Sequence, residues 1–290
     1  MATSIAEAIL QAAQDLRKAG VSDARREAGS LMAHALERDR SFVLGHANDP
    51  ITPDQEKHFL EYLGWRMKGR PLQYITGHQE FFGLDFEVTS DVLIPRPETE
   101  LLVETALKLT VGWDASPYIC DVGTGSGCVA ITLLHELREF PESRAVAIDI
   151  SEAALAVAKR NATRHRVAGR IDFVVSDCFA ELEPHQRRFD LIVSNPPYIR
   201  QDAIDALQRE VRDFEPRLAL EAGADGLSVV RRLLKDSGRF LKTGGHLLFE
   251  IGFDQSAEVA ELVERDTWQL IEIHKDLQGI PRTVALEKLG

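Results

Sequence analysis

The segment Asn195-Pro196-Pro197-Tyr198 follows an apolar stretch, FDLIVS, and has the clearest potential for chemistry. An amide or aromatic amine nitrogen is planar and a weak nucleophile, because its lone pair is delocalised. The Asn195 side-chain oxygen and the Pro196 carbonyl could accept both N–H bonds of such a group, and the tandem prolines stiffen this backbone. Tyr198 could stack on the planar group. The segment therefore predicts a site that positions a flat nitrogen beside an activated carbon.

Asparagine and proline are also common where a strand simply ends in a turn, so a dipeptide of this kind would carry little weight. The chemistry would need no strong base, because the nitrogen becomes acidic as it is alkylated. Acceptors aimed at it also favour the positive charge that develops in the transition state. The full four-residue motif is therefore a specific signal only if the preceding strands build a cofactor site.

A glycine-rich loop, Gly123-Thr124-Gly125-Ser126-Gly127, lies between a candidate strand and a candidate helix. Glycine permits a tight turn and lets a ligand approach the backbone closely. The spacing is GxGxG, which differs from the GxGxxG fingerprint of dinucleotide enzymes. Taken alone, this loop could also be a plain glycine turn that binds no ligand.

Two acids extend this pattern along the chain. Asp149 ends the second strand, where an acid can accept hydrogen bonds from ribose hydroxyls, although a helix N-cap is the alternative. Asp177 follows the third strand and could accept from an adenine amino group, with Cys178 and Phe179 beside the ring; alone it could be a turn residue. Three sites at the carboxyl ends of consecutive strands favour an adenosyl cofactor.

Alternating strands and helices position these residues. Strand candidates are 118–122, 144–148, 171–175, 189–194, 245–251, 268–274 and 282–287, and helical candidates are 127–139, 151–165, 226–241 and 254–264. Repeated βαβ units predict a mainly parallel, doubly wound α/β sheet. The connection between the last two strands is too short for a parallel crossover, so the last strand should be antiparallel. A Rossmann-like, seven-stranded sheet of this kind is that of the class I S-adenosylmethionine-dependent methyltransferases.

Ahead of the sheet, amphipathic stripes predict helices from Ile5 to about Lys18, from Ser22 onward and from Thr52-Pro53 to about Gly69. Such stripes usually form a core without chemistry. The segment 80–94 is rich in aromatic and β-branched residues and predicts a β-hairpin. The expected domains are therefore a helical domain at 1–78, a β-hairpin linker at 79–96 and a catalytic domain at 97–290.

Composition narrows the function further. The net charge of −12 lowers the expectation of a nucleic-acid substrate, which normally requires a basic surface. Three cysteines without CxxC spacing fit a reducing cytosol, and the nine histidines lack ligand spacing, so no metal is expected. No stretch predicts a membrane span or a signal peptide. We therefore expect a cytoplasmic protein.

The sequence closely resembles the HemK-like glutamine-N5 methyltransferases, which modify the Gly-Gly-Gln motif of peptide chain release factors. The resemblance covers nearly the whole chain and includes RPLQYITG (70–77), LIPRPETE (93–100), DVGTGSG (121–127), SNPPYI (194–199), EPRLAL–GADGL (215–227), EIGFDQ (250–255) and KDLQGIPR (275–282). NPPY also occurs in adenine-N6 and guanine-N2 methyltransferases. RPxTE, EPRLAL and KDLxGxPR are the more specific motifs.

The resemblance implies S-adenosylmethionine as cofactor, S-adenosylhomocysteine as product, and class 1 release factors as the protein substrate. It implies cofactor contacts at 123–127, Asp149, Asp177 or Cys178, and Asn195. It also implies that residues 195–198 hold the substrate glutamine and that the helical domain helps dock the release factor. Cys178 stands where some relatives carry tryptophan, which implies a less tightly stacked adenine pocket.

Two other hypotheses compete with this one. A nucleic-acid methyltransferase acting on adenine N6 or guanine N2 would keep the same site but need a base-flipping groove and a basic recognition domain, and neither is evident in the sequence. A cofactor-binding scaffold without activity would not need the intact NPPY motif.

Overall fold

The computed structural model describes residues 3–184 and 188–290, and these form two compact units. The helical unit comprises Met1–His78 and Gln208–Phe214, and the sheet unit comprises Gln79–Leu207 and Glu215–Gly290. The domain bounds expected from the sequence, 1–78, 79–96 and 97–290, stay a prediction, and residues 1–2 lie outside the described residues. The second segment of the helical unit, 208–214, was not anticipated from the sequence.

The secondary structure follows the chain in this order. The helices of the described residues are α1 (Ile5–Lys18), α2 (Ala24–Ala35), α3 (Arg40–Gly45), α4 (Pro53–Met67), α5 (Leu72–Thr76), α6 (Glu100–Thr110), α7 (Cys128–Glu136), α8 (Glu152–Arg164), α9 (Arg209–Phe214), α10 (Ser228–Asp236) and α11 (Ser256–Leu262). The strands are β1 (His78–Phe81), β2 (Leu84–Glu87), β3 (Tyr118–Val122), β4 (Arg144–Asp149), β5 (Ile171–Val175), β6 (Phe189–Ser194), β7 (Leu241–Glu250), β8 (Trp268–Lys275) and β9 (Pro281–Lys288).

The helical unit is built by amphipathic helices with strong start signals. Ser4 begins α1 and Thr52 begins α4, each through a capping box that satisfies the free amides of the first turn. Their apolar faces meet those of α2 in one core. Within this unit the buried Arg66 guanidinium pairs with Glu27 and with Glu210 of α9. This pairing explains why α9, which is distant in sequence, belongs to the helical unit.

The large sheet has the strand order β5-β4-β3-β6-β7-β9-β8. Strands β3 to β7 pair in parallel, whereas β9 pairs antiparallel with both β7 and β8. The predicted class I methyltransferase fold is therefore confirmed, including the antiparallel last strand. All seven predicted strands are present, and β7 begins earlier than expected, at Leu241.

Helices cover both faces of this sheet. Neighbouring residues of β3 point to opposite faces, so that Ile119 packs in one apolar core and Cys120 in the other. The first core includes α6 and α7, and the second includes α10 and α11. Helix α6 was absent from the sequence-based assignment, although its residues Leu102 and Val103 are fully buried. No described helix combines the length and apolar character that a membrane crossing requires.

The hairpin formed by β1 and β2 was expected to be a linker. Its Phe81 and Phe86 are buried in a core of the sheet unit, and their rings meet edge to face. Asn161 of α8 joins the hairpin to the glycine loop, because its side-chain amide donates to the carbonyls of Glu87 (3.0 Å) and Ser126 (2.9 Å). The hairpin thus helps position the loop of the candidate site.

Candidate active site

A cavity of about 260 Å³ lies in the sheet unit at the carboxyl ends of its central parallel strands. Ligands of open α/β sheets bind at this edge. Most of the residues singled out from the sequence line it together: Gly123, Thr124, Gly125, Ser126, Asp149, Asp177, Cys178, Asn195, Pro196 and Pro197. Gly127, Phe179 and Tyr198 do not belong to this lining, so the contacts expected of them with cofactor or substrate stay predictions.

The three glycines of the loop have different surroundings. All three have positive φ angles, +75° at Gly123, +55° at Gly125 and +81° at Gly127. A Cβ atom at either of the first two would meet no heavy atom within 4 Å, so the backbone there is open to a ligand. At Gly127 a Cβ would lie 2.8 Å from Ile131 Cδ1 and 3.1 Å from Ala158 Cβ. This glycine therefore permits close helix packing, which fixes the base of the loop.

Asp121 stabilises the glycine loop through hydrogen bonds. It was not singled out from the sequence. Its carboxylate accepts from the Thr124 hydroxyl (2.7 Å) and from the Ala130 amide at the start of α7 (3.2 Å). Burial raises the pKa of this carboxyl to about 6. An acid within an apolar strand, directly ahead of a glycine loop, is the sequence signal that would have identified it.

Asp149 ends β4 and lines the cavity. One carboxylate oxygen accepts from the Gly125 amide and the other from the Ser151 amide, both at 2.9 Å. Burial raises the pKa of this carboxyl, while these backbone donors act in the opposite direction. Each carboxylate oxygen retains further acceptor capacity, so the group can hold the loop and still receive ligand hydroxyls.

Asp177 and Cys178 line the cavity after β5. The Asp177 carboxylate accepts from Arg232 of α10 at 2.7 Å, a partner that the sequence argument did not anticipate. Cys178 has a positive φ of 51° and is 8% exposed. Burial raises the pKa of its thiol, so the side chain contributes as a small neutral wall.

Asn195 follows β6 and takes part in a chain of hydrogen bonds that reaches β7. Its Nδ2 donates to the Thr99 hydroxyl at 2.9 Å, and that hydroxyl donates to Glu250 Oε2 at 2.7 Å. Thr99 and Glu250 are each 1% exposed. Because Nδ2 is engaged by Thr99, Oδ1 is the group that Asn195 offers as an acceptor. Neither Thr99 nor Glu250 was singled out from the sequence, although both lie in motifs of the resembled family.

Tyr198 lies outside the cavity lining and is held by hydrogen bonds from its side chain and its backbone. Its hydroxyl donates to Glu250 Oε1 at 3.4 Å, and burial raises the pKa of the phenol, which therefore stays neutral. Its backbone carbonyl accepts from Gln255 Nε2 at 3.1 Å. Gly226 allows this packing, because a Cβ there would lie 2.5 Å from the Tyr198 carbonyl oxygen. The motif is thus fixed through its backbone as well as its side chains.

Two further segments, 91–99 and 216–221, contribute residues to the cavity wall. Glu215 joins them, because its carboxylate pairs with Arg96 and accepts from the Ile94 amide at 3.4 Å. The Glu215 side chain is 1% exposed, whereas that of Arg96 is 33% exposed. An ion pair between a buried carboxylate and a guanidinium far away in sequence is a feature that motif spacing cannot predict.

The residues present fit an adenosyl cofactor. Two glycines with open space before them and an acceptor carboxylate at the next strand end are the groups that a nucleoside with a polar tail requires. Among residues 3–184 and 188–290, no group of three or more His, Cys, Asp or Glu side chains could hold a metal ion. The sequence-based expectation about histidines also covers His185, which lies outside the described residues.

Comparison with known proteins identifies the family. Residues 7–77 match the model of the PrmC N-terminal domain, and residues 97–218 match that of the methyltransferase small domain. A release factor glutamine methyltransferase of Koribacter versatilis is 41% identical, covering 98% of this chain and 99% of the relative. One of Cereibacter sphaeroides is 42% identical, covering 97% of each chain. The chain belongs to the release factor glutamine methyltransferase family. The resemblance seen in the sequence is thereby confirmed, and the chain is a methyltransferase.

Solved structures outside this family share the fold. The hMettl16 catalytic domain in complex with MAT2A 3′UTR hairpin 6 has a TM-score of 0.56 at 19% identity, covering 79% of this chain and 82% of that one. A ribosomal protein L11 methylase from Lactobacillus delbrueckii subsp. bulgaricus has a TM-score of 0.50 at 18% identity, covering 73% and 90%. At these identities the likeness extends to the fold alone.

Proposed function

We propose that this chain transfers a methyl group from S-adenosylmethionine to the side-chain amide nitrogen, N5, of the glutamine in the Gly-Gly-Gln motif of class 1 peptide chain release factors. The products are the methylated glutamine and S-adenosylhomocysteine. The activity belongs to translation termination in the cytoplasm. Family membership supports the substrate class, since relatives that align along nearly their whole length carry the name release factor glutamine methyltransferase.

One observation carries the assignment of the chemistry. Asn195 lines the same cavity as the glycine loop and Asp149, and its amide is oriented by Thr99 so that Oδ1 remains as an acceptor. A primary carboxamide is flat and has two N–H bonds. The Asn195 Oδ1 and the Pro196 carbonyl offer two oxygens next to each other along the chain, which match that group.

The cofactor half of the site comprises Gly123 to Ser126, Asp149, Asp177 and Cys178. In the proposed complex, the glycine loop holds the amino-acid part of the cofactor, Asp149 accepts from its ribose, and Asp177 with Cys178 borders the adenine. S-adenosylmethionine supplies the methyl group from a positively charged sulfur, which leaves as a neutral thioether. The stable pairing of Asp149 with backbone amides keeps its carboxylate in place for this role.

The substrate half acts through position and charge. Asn195 and Pro196 accept the two N–H bonds, which fixes the amide plane and favours the positive charge that the nitrogen acquires. The nitrogen then loses one proton to solvent as its bond to carbon forms. Tyr198 supports this wall from behind, and its phenol stays neutral because burial raises its pKa. The domain at 1–78 helps dock the release factor.

The test is mass spectrometry of the tryptic peptide that carries the Gly-Gly-Gln motif. A purified release factor is incubated with the enzyme and S-adenosylmethionine, and we expect a mass gain of one methyl group on the glutamine. A release factor with asparagine in place of this glutamine is the matched control. When a crude extract is the substrate and the methyl group of S-adenosylmethionine carries a label, protease treatment of the extract should abolish incorporation of the label. If nuclease treatment abolished it instead, the substrate would be a nucleic acid and the proposal would be wrong.

A further inference from the structure

Glu250 is a buried acid close to the candidate site, and the proposed reaction gives it no role. It ends β7, beside β6, and its carboxylate contacts Thr99 Oγ1 at 2.7 Å and the Tyr198 hydroxyl at 3.4 Å. Both contacts lead to residues next to the proposed substrate position, yet Glu250 itself is outside the cavity lining. A buried carboxylate is costly unless it serves as an acceptor for nearby donors. Here its donors are two side chains of the site.

We infer that Glu250 is a positioning residue, which acts through the Thr99 hydroxyl to hold the Asn195 carboxamide with Oδ1, rather than Nδ2, toward the substrate amide. The inference rests on the proposed function, because it assigns Asn195 Oδ1 to a substrate N–H bond. It adds two residues, Thr99 and Glu250, that shape specificity for an amide without touching the reacting atoms.

The direction of the hydrogen bonds carries this inference. An ionised carboxylate can only accept, so Thr99 must donate its single hydroxyl hydrogen to Glu250. The Thr99 oxygen can then only accept from Asn195, and Nδ2 is the donor that the Asn195 side chain provides. An asparagine turned by half a rotation would place Oδ1 against an oxygen with no hydrogen to offer. The buried carboxylate thus selects one of the two amide orientations.

The alternative orientation would damage the site. With Nδ2 toward the substrate, an N–H donor would face the N–H bonds of the incoming glutamine. Leaving polar groups unmatched in a desolvated site should reduce the rate by about five- to 150-fold. The two hydrogen bonds from Asn195 to Thr99 and from Thr99 to Glu250 form a relay. This relay prevents the inverted orientation of the Asn195 amide.

Protonation of Glu250 would weaken this control. Burial raises the pKa of its carboxyl to about 7, and the nearby Glu98 acts in the same direction. Arg282 of β9 and the hydrogen bonds from Thr99 and Tyr198 oppose this effect. Below that pH a protonated carboxyl can donate to Thr99, and the Thr99 hydrogen is then free to turn toward an inverted Asn195. The active form is the carboxylate, so turnover should fall as the pH falls through about 7.

The experiment compares Thr99→Val with Thr99→Ser and measures release factor methylation. Valine keeps the shape but removes the relay, so we expect kcat to fall about tenfold or more. The KM for S-adenosylmethionine should stay within about threefold, and the serine variant should retain kcat within about threefold, since it keeps the hydroxyl. Adding Thr99→Val to Asn195→Ala should cause little further loss, because both changes remove the same interaction.

Two measurements separate the relay from a general structural role. Glu250→Gln cannot titrate, so the fall in kcat below about pH 7 should disappear, whereas the exposed control Glu258→Gln should keep the wild-type profile. The second measurement needs no turnover. The side-chain amide of Asn195, identified in NMR spectra by its absence from Asn195→Ala, should lose hydrogen-exchange protection in Thr99→Val but keep it in Thr99→Ser.

The outcomes are distinguishable from a failure of the proposed function. If the wild-type enzyme left the release factor unlabelled, the substrate assignment would fail, and the exchange measurement would still decide whether Thr99 holds the amide. If the wild type labelled the release factor while Thr99→Val kept full kcat and full amide protection, the positioning role of Thr99 and Glu250 would be refuted.

Discussion

The two halves of the cavity are built in different ways. In the cofactor half, the carboxylates that hold the glycine loop bind groups closer along the chain: Asp121 binds Thr124 three residues away, and Asp149 binds the Gly125 amide 24 residues away. Asp177, beyond the loop, pairs with Arg232 across 55 residues. In the substrate half, Asn195 reaches Thr99 across 96 residues, and Thr99 reaches Glu250 across 151. A cofactor loop can therefore be a local motif, whereas the acceptor for the substrate depends on the folded sheet.

This difference has a chemical reason. A nucleoside cofactor is bound largely by backbone amides and by carboxylates at strand ends, and one βαβ unit supplies both. The substrate amide must instead be held by a side chain in one defined orientation. An asparagine can rotate its amide, so it needs a second side chain to fix it, and that side chain can come from any neighbouring element.

The largest expected effect is that of Asn195→Ala. Removal of one preorganised polar group from a transition-state site costs about two to three orders of magnitude in kcat. Affinity for S-adenosylmethionine should change little, because Asp149 and the glycine loop are untouched. Steady-state kinetics with a release factor and calorimetric titration of the cofactor measure the two quantities. Unchanged turnover would remove Asn195 from the mechanism.

Asp149→Asn should have the opposite profile. The new side chain has a single acceptor oxygen, so one of the two backbone N–H groups that donate to Asp149, at Gly125 or Ser151, loses its partner. The cofactor ribose also loses a charged acceptor. Hydrogen bonds to charged groups contribute about 1.5–3 kcal/mol, which corresponds to about a ten- to hundredfold weaker cofactor affinity. At saturating cofactor, kcat should remain within about threefold.

The matched control for this variant is Glu152→Gln, an exposed acid in the first turn of α8. It should leave cofactor affinity unchanged within error. A loss of kcat in Asp149→Asn at saturating cofactor, rather than a loss of affinity, would contradict the division of the cavity into two halves.

The sequence predicted the features whose signals are periodic or local. Alternating strands and helices predicted the sheet, the short last connection predicted its antiparallel strand, and the glycine spacing predicted where the loop would lie. It missed α6, although Leu102 and Val103 of that helix are buried, because no chemical motif drew attention to the segment. It also treated Phe81 and Phe86 as parts of a linker, whereas they complete a core of the sheet unit.

Contacts formed only after folding could not be predicted from spacing. Thr99 and Glu250 belong to motifs of the resembled family, but nothing in the sequence indicates that they pair. Their pairing depends on β7 lying next to β6. The same holds for Glu215, whose partner Arg96 is 119 residues away. The same holds for 208–214, a second segment of the helical unit, whose Glu210 pairs with the buried Arg66.

A pair of glycine substitutions sharpens the comparison within the loop. Both Gly123→Ala and Gly127→Ala place a side chain at a positive φ, which costs about 1–2 kcal/mol. At Gly127 the new Cβ would also press on Ile131 and Ala158, and overpacking of this kind typically adds about 1–3 kcal/mol. At Gly123 the Cβ would enter open space on the cavity side.

We therefore expect Gly127→Ala to lower the free energy of unfolding more than Gly123→Ala does. For a given loss of stability, Gly123→Ala should show the larger loss of cofactor affinity. Denaturant unfolding gives the free energy of unfolding, and calorimetry gives the cofactor dissociation constant. The reverse order would indicate that Gly127, although outside the cavity lining, contacts the cofactor directly.

Tyr198→Phe should have the smallest effect. The hydroxyl reaches Glu250 only at 3.4 Å, whereas Thr99 lies at 2.7 Å from the same carboxylate, so the relay to Asn195 survives without it. Loss of one hydrogen bond as long as 3.4 Å should reduce kcat by no more than about fivefold. Tyr198→Ala should lose far more, because it removes a half-buried aromatic ring next to Pro196 and Pro197 in the chain. If phenylalanine and alanine impaired kcat equally, the hydroxyl rather than the ring would support the substrate half, and Glu250 would act through Tyr198 as strongly as through Thr99.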